Sequence, residues 1–322
     1  MRRPASPQRM HGPPTTATTG RTAAVIRVRN SEIDKFKRCP RSWYLSYYRN
    51  MELDAGQRKT PHNYDIGTAA HVGLRAHYEG NNPKAAINEH AATTIDGLHP
   101  MADLDAWNKA FDKAQAMVEH YPAWLDDEGL DLAEETLSLE TEMSLTVSAL
   151  GDRQDVEVNV YGTPDRVVRP PAGLVIEDWK TVQRVERPFM MESNWQLLNY
   201  MLFARAKFPN EPIVGARHRQ LVRSLHTGRA KAPQYAEHFV SFSEARVDHH
   251  FEELHSVLHR MVEAREVAFN VVPAEVPVAF PPTLINQCTW DCNFHDVCSL
   301  MSDGGDWEFI LDTNYRKRQE AK

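Results

Sequence analysis

Two carboxylates and a lysine stand at a spacing that supports metal-assisted hydrolysis. Pro164-Asp165 closes one β-branched stretch, and after twelve intervening residues Asp178-Trp179-Lys180 closes the next apolar run, Leu174-Val175-Ile176. A hairpin of two strands brings these ends together. Asp165 and Asp178 then offer the oxygen ligands that Mg²⁺ and Mn²⁺ prefer. A hard cation held there neutralises charge on a phosphodiester and helps to generate a nucleophile from water. Strand side chains alternate with period two, so Lys180 shares a face with Asp178 and can orient the water or stabilise charge on the phosphate. Glu177 falls on the opposite face and is given no primary role.

The chain has four cysteines. Cys39 stands alone near the start, and Cys288, Cys292 and Cys298 form a late trio separated by three and then five residues. Four are too few for a secreted disulfide scaffold in a chain of 322 residues, so a shared metal site is the better reading. Four thiolates suit an iron-sulfur cluster or a tetrahedral structural Zn²⁺, and the residues alone leave both open, with His295 as a substitute ligand for zinc.

The order Gly67-Thr68-Ala69-Ala70-His71, Pro164-Asp165, Asp178-Trp179-Lys180-Thr181, then Gln196 and Tyr200 resembles the PD-(D/E)XK nuclease superfamily. It is most similar to the RecB-like branch, which includes the AddB nuclease and the CRISPR-associated RecB-like exonucleases. The resemblance spans residues 31 to 298. It implies that His71 is a further metal ligand beside Asp165 and Asp178, and that Gln196 and Tyr200, one helical turn apart, join Lys180 in the catalytic set. Gln196 would orient the nucleophile or a phosphate, and Tyr200 would stack or hydrogen-bond. The resemblance also implies a 4Fe-4S cluster on Cys39, Cys288, Cys292 and Cys298. The three-residue gap between Cys288 and Cys292 departs from the two-residue gap commoner in that branch and keeps zinc in view.

These groups need a scaffold. Residues 1–22, rich in Pro, Thr, Ser and Arg, read as a disordered tail. Residues 23–135 read as an N-terminal helical region carrying Cys39 and His71, residues 136–270 as the nuclease core, and 271–322 as the cluster segment and tail. Ser31 with Asp34 suggests a capping box, and Pro40 should break the helix that follows. Helical spacing predicts helices over 64–77, 83–95 and 103–125. Alternating residues predict three consecutive strands, 137–147, 156–168 and 174–179, separated by Gly151-Asp152 and by residues 170–173. A helix at 192–207, strands at 213–223 and 235–242, and a long helix opened by Ser243 complete the order. The expected fold is α/β: a central mixed β-sheet flanked by helices, a restriction-endonuclease-like core with a helical lobe and a Cys-rich C-terminal segment.

Composition is that of a soluble globular protein, with 42% hydrophobic and 25% charged residues. No run is long enough to span a membrane, and the first residues lack the apolar core of a signal peptide, so a cytoplasmic location is expected, that of the host if the chain is phage-encoded. The net charge of −7 does not advertise a nucleic-acid partner. Locally the picture reverses. No acid lies between Glu211 and Glu237, where Arg217, His218, Arg219, Arg223, His226, Arg229 and Lys231 accumulate, and Lys35, Lys37, Arg38 and Arg41 form a second basic knot beside Trp43, Tyr44 and Tyr47. These patches are either solvated faces or surfaces for DNA, with the aromatic residues available to stack on bases. The leading expectation is a Mg²⁺- or Mn²⁺-dependent DNA exonuclease acting on single strands or duplex ends in recombination, repair or phage DNA metabolism. No phosphate loop of the helicase type is present, so any helicase or recombination partner would be a separate chain. The alternative is a catalytically silent DNA-binding or complex-assembly module with a structural metal site.

Overall fold

A computed structural model describes residues 24–54, 57, 60–148, 150, 156–227, 234–285, 288 and 292–318. The expected tail, the Gly151-Asp152 turn, Arg229 and Lys231 lie outside them. In chain order the elements are β1 (Ala24–Arg29), α1 (Asn30–Arg38), α2 (Pro40–Trp43), which runs into a π-helical turn (Tyr44–Tyr48), β2 (Met51–Leu53), α3 (Asn63–Tyr78), α4 (Pro83–Asp96), α5 (Leu104–Glu119) and α6 (Tyr121–Glu128). Then come β3 (Glu135–Leu139), β4 (Met143–Val147), β5 (Val156–Gly162), β6 (Arg166–Arg169), β7 (Leu174–Val182), α7 (Trp195–Lys207), β8 (Ile213–Val222) and β9 (Tyr235–Val240). The long α8 (Glu244–Asn270), α9 (Val276–Ala279), α10 (His295–Asp303), α11 (Trp307–Asn314) and β10 (Tyr315–Lys317) follow.

The central sheet is mixed, in the order β3-β6-β7-β8-β9, with β7 and β8 parallel and the other neighbours antiparallel. Six consecutive residues of β7, Leu174 to Trp179, are buried, which marks a strand covered on both faces. One face packs with Leu197, Met201, Leu254 and Leu258 of α7 and α8 in the larger core. The other carries Trp179 and Leu221 into a second core with Leu74, Trp107, Phe111 and Tyr121 of the helical lobe. A small sheet β1-β5-β4 and a two-stranded pair β10-β2 stand beside the large one. No helix among the described residues is long and apolar enough to cross a membrane.

The expected three-strand meander is instead five strands shared between two sheets. Residues 137–147 divide at Glu140, whose φ of 41° turns the chain out of β3, paired with β6, and towards β4, paired with β5. Residues 156–168 divide at Thr163-Pro164, because proline has no N–H to give to a ladder. The expected helix over 103–125 is likewise two, with Pro122 in the first turn of α6. Asn30 rather than Ser31 opens α1, and Ser31 and Asp34 make no capping box: Ser31 Oγ accepts from Tyr47. As expected, α1 stops before Pro40, which then begins α2, and Ser243 caps α8 by accepting from the Arg246 N–H.

Candidate active site

The β6–β7 register pairs Arg166 with Glu177 and so sets Asp165, just before β6, beside Asp178. The Trp179 backbone N–H donates to Asp165 Oδ2 at 2.6 Å, which locks this carboxylate to the middle strand. Lys180 Nζ lies 3.1 Å from both oxygens of Asp178, as the period-two alternation requires. From above, α3 comes down at Gly67, where an added Cβ would lie 3.2 Å from Thr181 Oγ1. That close approach, one turn ahead of His71, brings His71 Nδ1 to 3.0 Å from Asp165 Oδ1. The sequence motif Gly-Thr-x-x-His thus pairs a residue without a side chain at the contact with a candidate ligand at the site.

Glu140 completes the group and was not singled out from the sequence. Its backbone N–H donates to the Asp165 carbonyl at 2.9 Å, and its carboxylate lies with His71 and Asp165 so that one ligand atom of each falls within 4.8 Å of the others. An acid at a strand end carries no distinctive signal, and the irregular backbone that aims it inward was not visible in the residue pattern. Arg75, one turn beyond His71 on α3, donates to its Oε2 at 3.1 Å.

The carboxylates and bases of the centre shift one another: burial would lower the His71 imidazole, but Asp165 raises it above its ordinary value. Burial and the neighbouring Asp165 push the Asp178 carboxyl up to about 6, against the pull of Lys180. Burial and Asp165 likewise raise Glu140. Burial alone would raise Asp165 too, but His71, Lys180 and the Trp179 N–H outweigh it and hold Asp165 below its ordinary value. Burial would lower Lys180, yet Asp178 and Asp165 beside it keep the ammonium above its ordinary range. Oxygen ligands crowded until they oppose one another's ionisation, with one imidazole, fit a hard divalent cation.

Helix α7, capped by Asn194, carries the other two expected residues. Gln196 Nε2 donates to Tyr200 Oη at 2.8 Å, and that hydroxyl donates to the Thr163 carbonyl at 3.1 Å, two residues before Asp165. Tyr200 is 3% exposed. Of the two expected roles, stacking or hydrogen-bonding, its buried ring leaves the second. It ties α7 to the turn that delivers Asp165, and the Gln196 carbonyl oxygen is the group of this pair suited to accept from a water.

The basic stretch on β8 is not a surface. Arg217 and Arg219 are buried beneath β7, where Arg217 reaches Glu134 and Glu177, and Arg219 reaches Glu237, Asp131 and the hydroxyls of Tyr78 and Tyr121. With Arg166 on Asp131, this network fastens the helical lobe to the sheet, and Glu177 lies at its centre. His218 faces the other way, buried beside Asp178. Burial, Lys180 and His238 pull its imidazole down to about 3, so the ring is neutral. Trp43 and Tyr44 are likewise core residues, Tyr44 stacked on Phe280 and Trp43 tilted against it, and Arg41 is buried against the carbonyls of Phe280, Pro277 and Cys298.

The cysteines gather from both ends of the described chain. Cys39, Cys288 and Cys292 line one small cavity with Lys35 and Arg38, while Cys298 Sγ lies 3.4 Å from Arg41 Nη1 on the helix that begins after Cys39. Burial raises the Cys292 thiol, and Cys39 and Cys288 raise it further. Three thiols around one small cavity suit a thiolate-bound metal centre. His295 is half exposed beside Asp296.

Solved structures similar to the chain include the following two. One is a candidate exonuclease from Eubacterium rectale, 10% identical, covering 83% of this chain and 87% of its own with a TM-score of 0.44. The other is SSO0001, 12% identical, covering 83% of this chain and 94% of its own with a TM-score of 0.33. No curated protein matches at a significant level. The family model of the PD-(D/E)XK nuclease superfamily matches residues 30–299, an interval that holds every candidate ligand from Cys39 to Cys298, and the chain belongs to that superfamily.

Proposed function

We propose that the protein is a metal-dependent DNA exonuclease of the RecB-like branch, working on single strands or duplex ends in recombination, repair or phage DNA metabolism. The observation that carries this reading is the convergence of His71, Glu140 and Asp165 around one centre, with Asp178 set beside Asp165 by the β6–β7 pairing and held by Lys180. His71, Glu140, Asp165 and Asp178 would hold Mg²⁺ or Mn²⁺, which supplies charge neutralisation and Lewis acidity when bound. The Lys180 ammonium stabilises the charge that builds on the phosphate and orients the attacking water. The Gln196 carbonyl accepts from that water, and Tyr200 keeps Gln196 and the Asp165 turn in register.

With Arg217 and Arg219 buried, phosphates must be held elsewhere. A groove that continues from β7 past the centre is lined by Arg184, Arg187 and Arg223 together with the half-exposed Phe189 and Met190. Cations with apolar side chains between them suit a single strand. The four cysteines would hold a structural 4Fe-4S cluster, for which the support is the cavity that Cys39, Cys288 and Cys292 share, with Cys298 against Arg41 beside it.

The test is digestion of labelled linear and circular DNA with Mn²⁺, comparing the wild type with Asp165→Ala and Lys180→Ala on 5′- and 3′-blocked ends. Wild-type degradation of the linear form alone, lost in both variants, is expected; equal degradation by all three proteins overturns the assignment. Anaerobically purified protein should be brown with broad absorption near ~400 nm. A colourless, zinc-loaded protein would replace the iron-sulfur cluster by zinc.

A further inference from the structure

His218 stood out in the sequence only as part of a basic stretch, and its surroundings give it another role. The parallel β7–β8 register sets His218 beside Asp178 and Gln220 beside Lys180, so the four side chains share one face. The His218 and Asp178 side chains are 2% and 1% exposed. His218 Nε2 lies 3.5 Å from Asp178 Oδ2 and has no hydrogen-bond partner among the described residues, while that oxygen has the Lys180 ammonium 3.1 Å away on its other side.

The direction of each bond around the ring can be assigned from one backbone group. The Glu186 N–H can only donate, and it lies 2.7 Å from Gln220 Oε1, which fixes the amide with its oxygen towards Glu186. Gln220 Nε2 therefore faces His218 Nδ1, at 3.1 Å, and must donate to it. His218 Nδ1 is then the lone-pair nitrogen, and the single proton of the neutral ring sits on Nε2, aimed at Asp178 Oδ2. Glu186 is itself clamped by His238, whose Nε2 is 3.1 Å from its carbonyl oxygen.

We infer that His218 is a positioning residue, which uses a tautomer fixed by Gln220 to hold the Asp178 carboxylate from its buried side in the orientation that a cation requires. Lys180 holds the same carboxylate from its open side. A buried carboxylate gripped from both sides keeps its ligand geometry before the cation arrives, and outer groups of this kind typically govern metal affinity by ~10–100-fold. The inference rests on the proposed metal centre and adds to it the group that orients one of its ligands.

The experiment is Mn²⁺ titration of the full chain without DNA, read by electron paramagnetic resonance of the free ion, for the wild type, Asp178→Ala, His218→Leu and His218→Gln. Leucine keeps bulk and removes the donor, while the glutamine Nε2 can take the place of the imidazole Nε2. Weakening by ~10–100-fold in His218→Leu, with most of the loss recovered in His218→Gln, is expected. Wild-type affinity in His218→Leu overturns the inference while leaving the metal centre standing. A wild type that binds no Mn²⁺, or an Asp178→Ala that binds it unchanged, overturns both. Long-range ¹H–¹⁵N spectra of histidine-labelled wild type give a reading that needs no folded variant. A His218 proton on Nε2 is expected, and a proton on Nδ1 refutes the relay.

Discussion

Replacing Asp178 by Asn should make the metal-free protein more stable while it destroys the proposed centre. The Asp178 side chain is 1% exposed, and burial, then Asp165, hold it at about 6 instead of 3.8 in spite of Lys180. A carboxyl whose pKa rises on folding favours the folded state only while protonated. Its contribution is complete below the unfolded value and is lost as pH rises through the folded one, here between 3.8 and about 6. At ~1.4 kcal/mol per unit, the ionised group costs the folded state about 3 kcal/mol above that window. Asparagine removes the charge but leaves Lys180 with one partner fewer, so the net gain should be about 1–3 kcal/mol. Urea unfolding in EDTA measures it directly. The variant should be the more stable protein at about pH 8, and the gap should shrink towards zero near about pH 4. Saturating Mn²⁺ should reverse the order, since only the wild type gains binding free energy. An Asp178→Asn protein less stable than the wild type in EDTA at the higher pH, or a gap independent of pH, would refute this electrostatic description.

Other parts of the structure make separate predictions. Glu140→Gln should weaken Mn²⁺ binding by at least ~10-fold, measured by the same titration, while unfolding in EDTA changes little. Arg219→Leu strips Asp131 and Glu237 of a buried partner and should cost about 3–5 kcal/mol in urea unfolding, without altering Mn²⁺ affinity in the protein that remains folded. The double change Arg184→Ala with Arg187→Ala should raise KM for linear DNA and flatten its salt dependence, leaving kcat within a few-fold. Unchanged salt dependence would place the DNA elsewhere.

What the residues revealed and what they hid divide along a physical line. Asp178 and Lys180 were legible because strand alternation is local, and the cap at Ser243 because a cap needs only its own first turn. Arg217 and Arg219 were misleading because a charged residue in a strand reads as solvent-facing unless its partners are known. Those partners, Glu134 and Asp131, lie more than eighty residues earlier in the chain. Glu140 stayed hidden for the same reason: only the tertiary fold brings the β3–β4 turn to His71. The break at Thr163-Pro164 was readable in principle, since proline forbids a continuous ladder, but the apolar residues on both sides masked it.

The pairing of β2 with β10 has a consequence for how the protein comes into being. Arg316 reaches Glu52 across 264 residues of chain, and Tyr44 waits for Phe280 to cover it. Closing so long a loop comes late, after the local helices of the lobe and the β6–β7 hairpin have formed. During synthesis the aromatic segment around Trp43 and Tyr44 therefore stays open to solvent and to other chains until residues 276–318 have left the ribosome. The growing chain would carry a nearly assembled hydrolytic core alongside an uncovered adhesive patch, and its yield in a cell should depend more on chaperone capacity than on final stability.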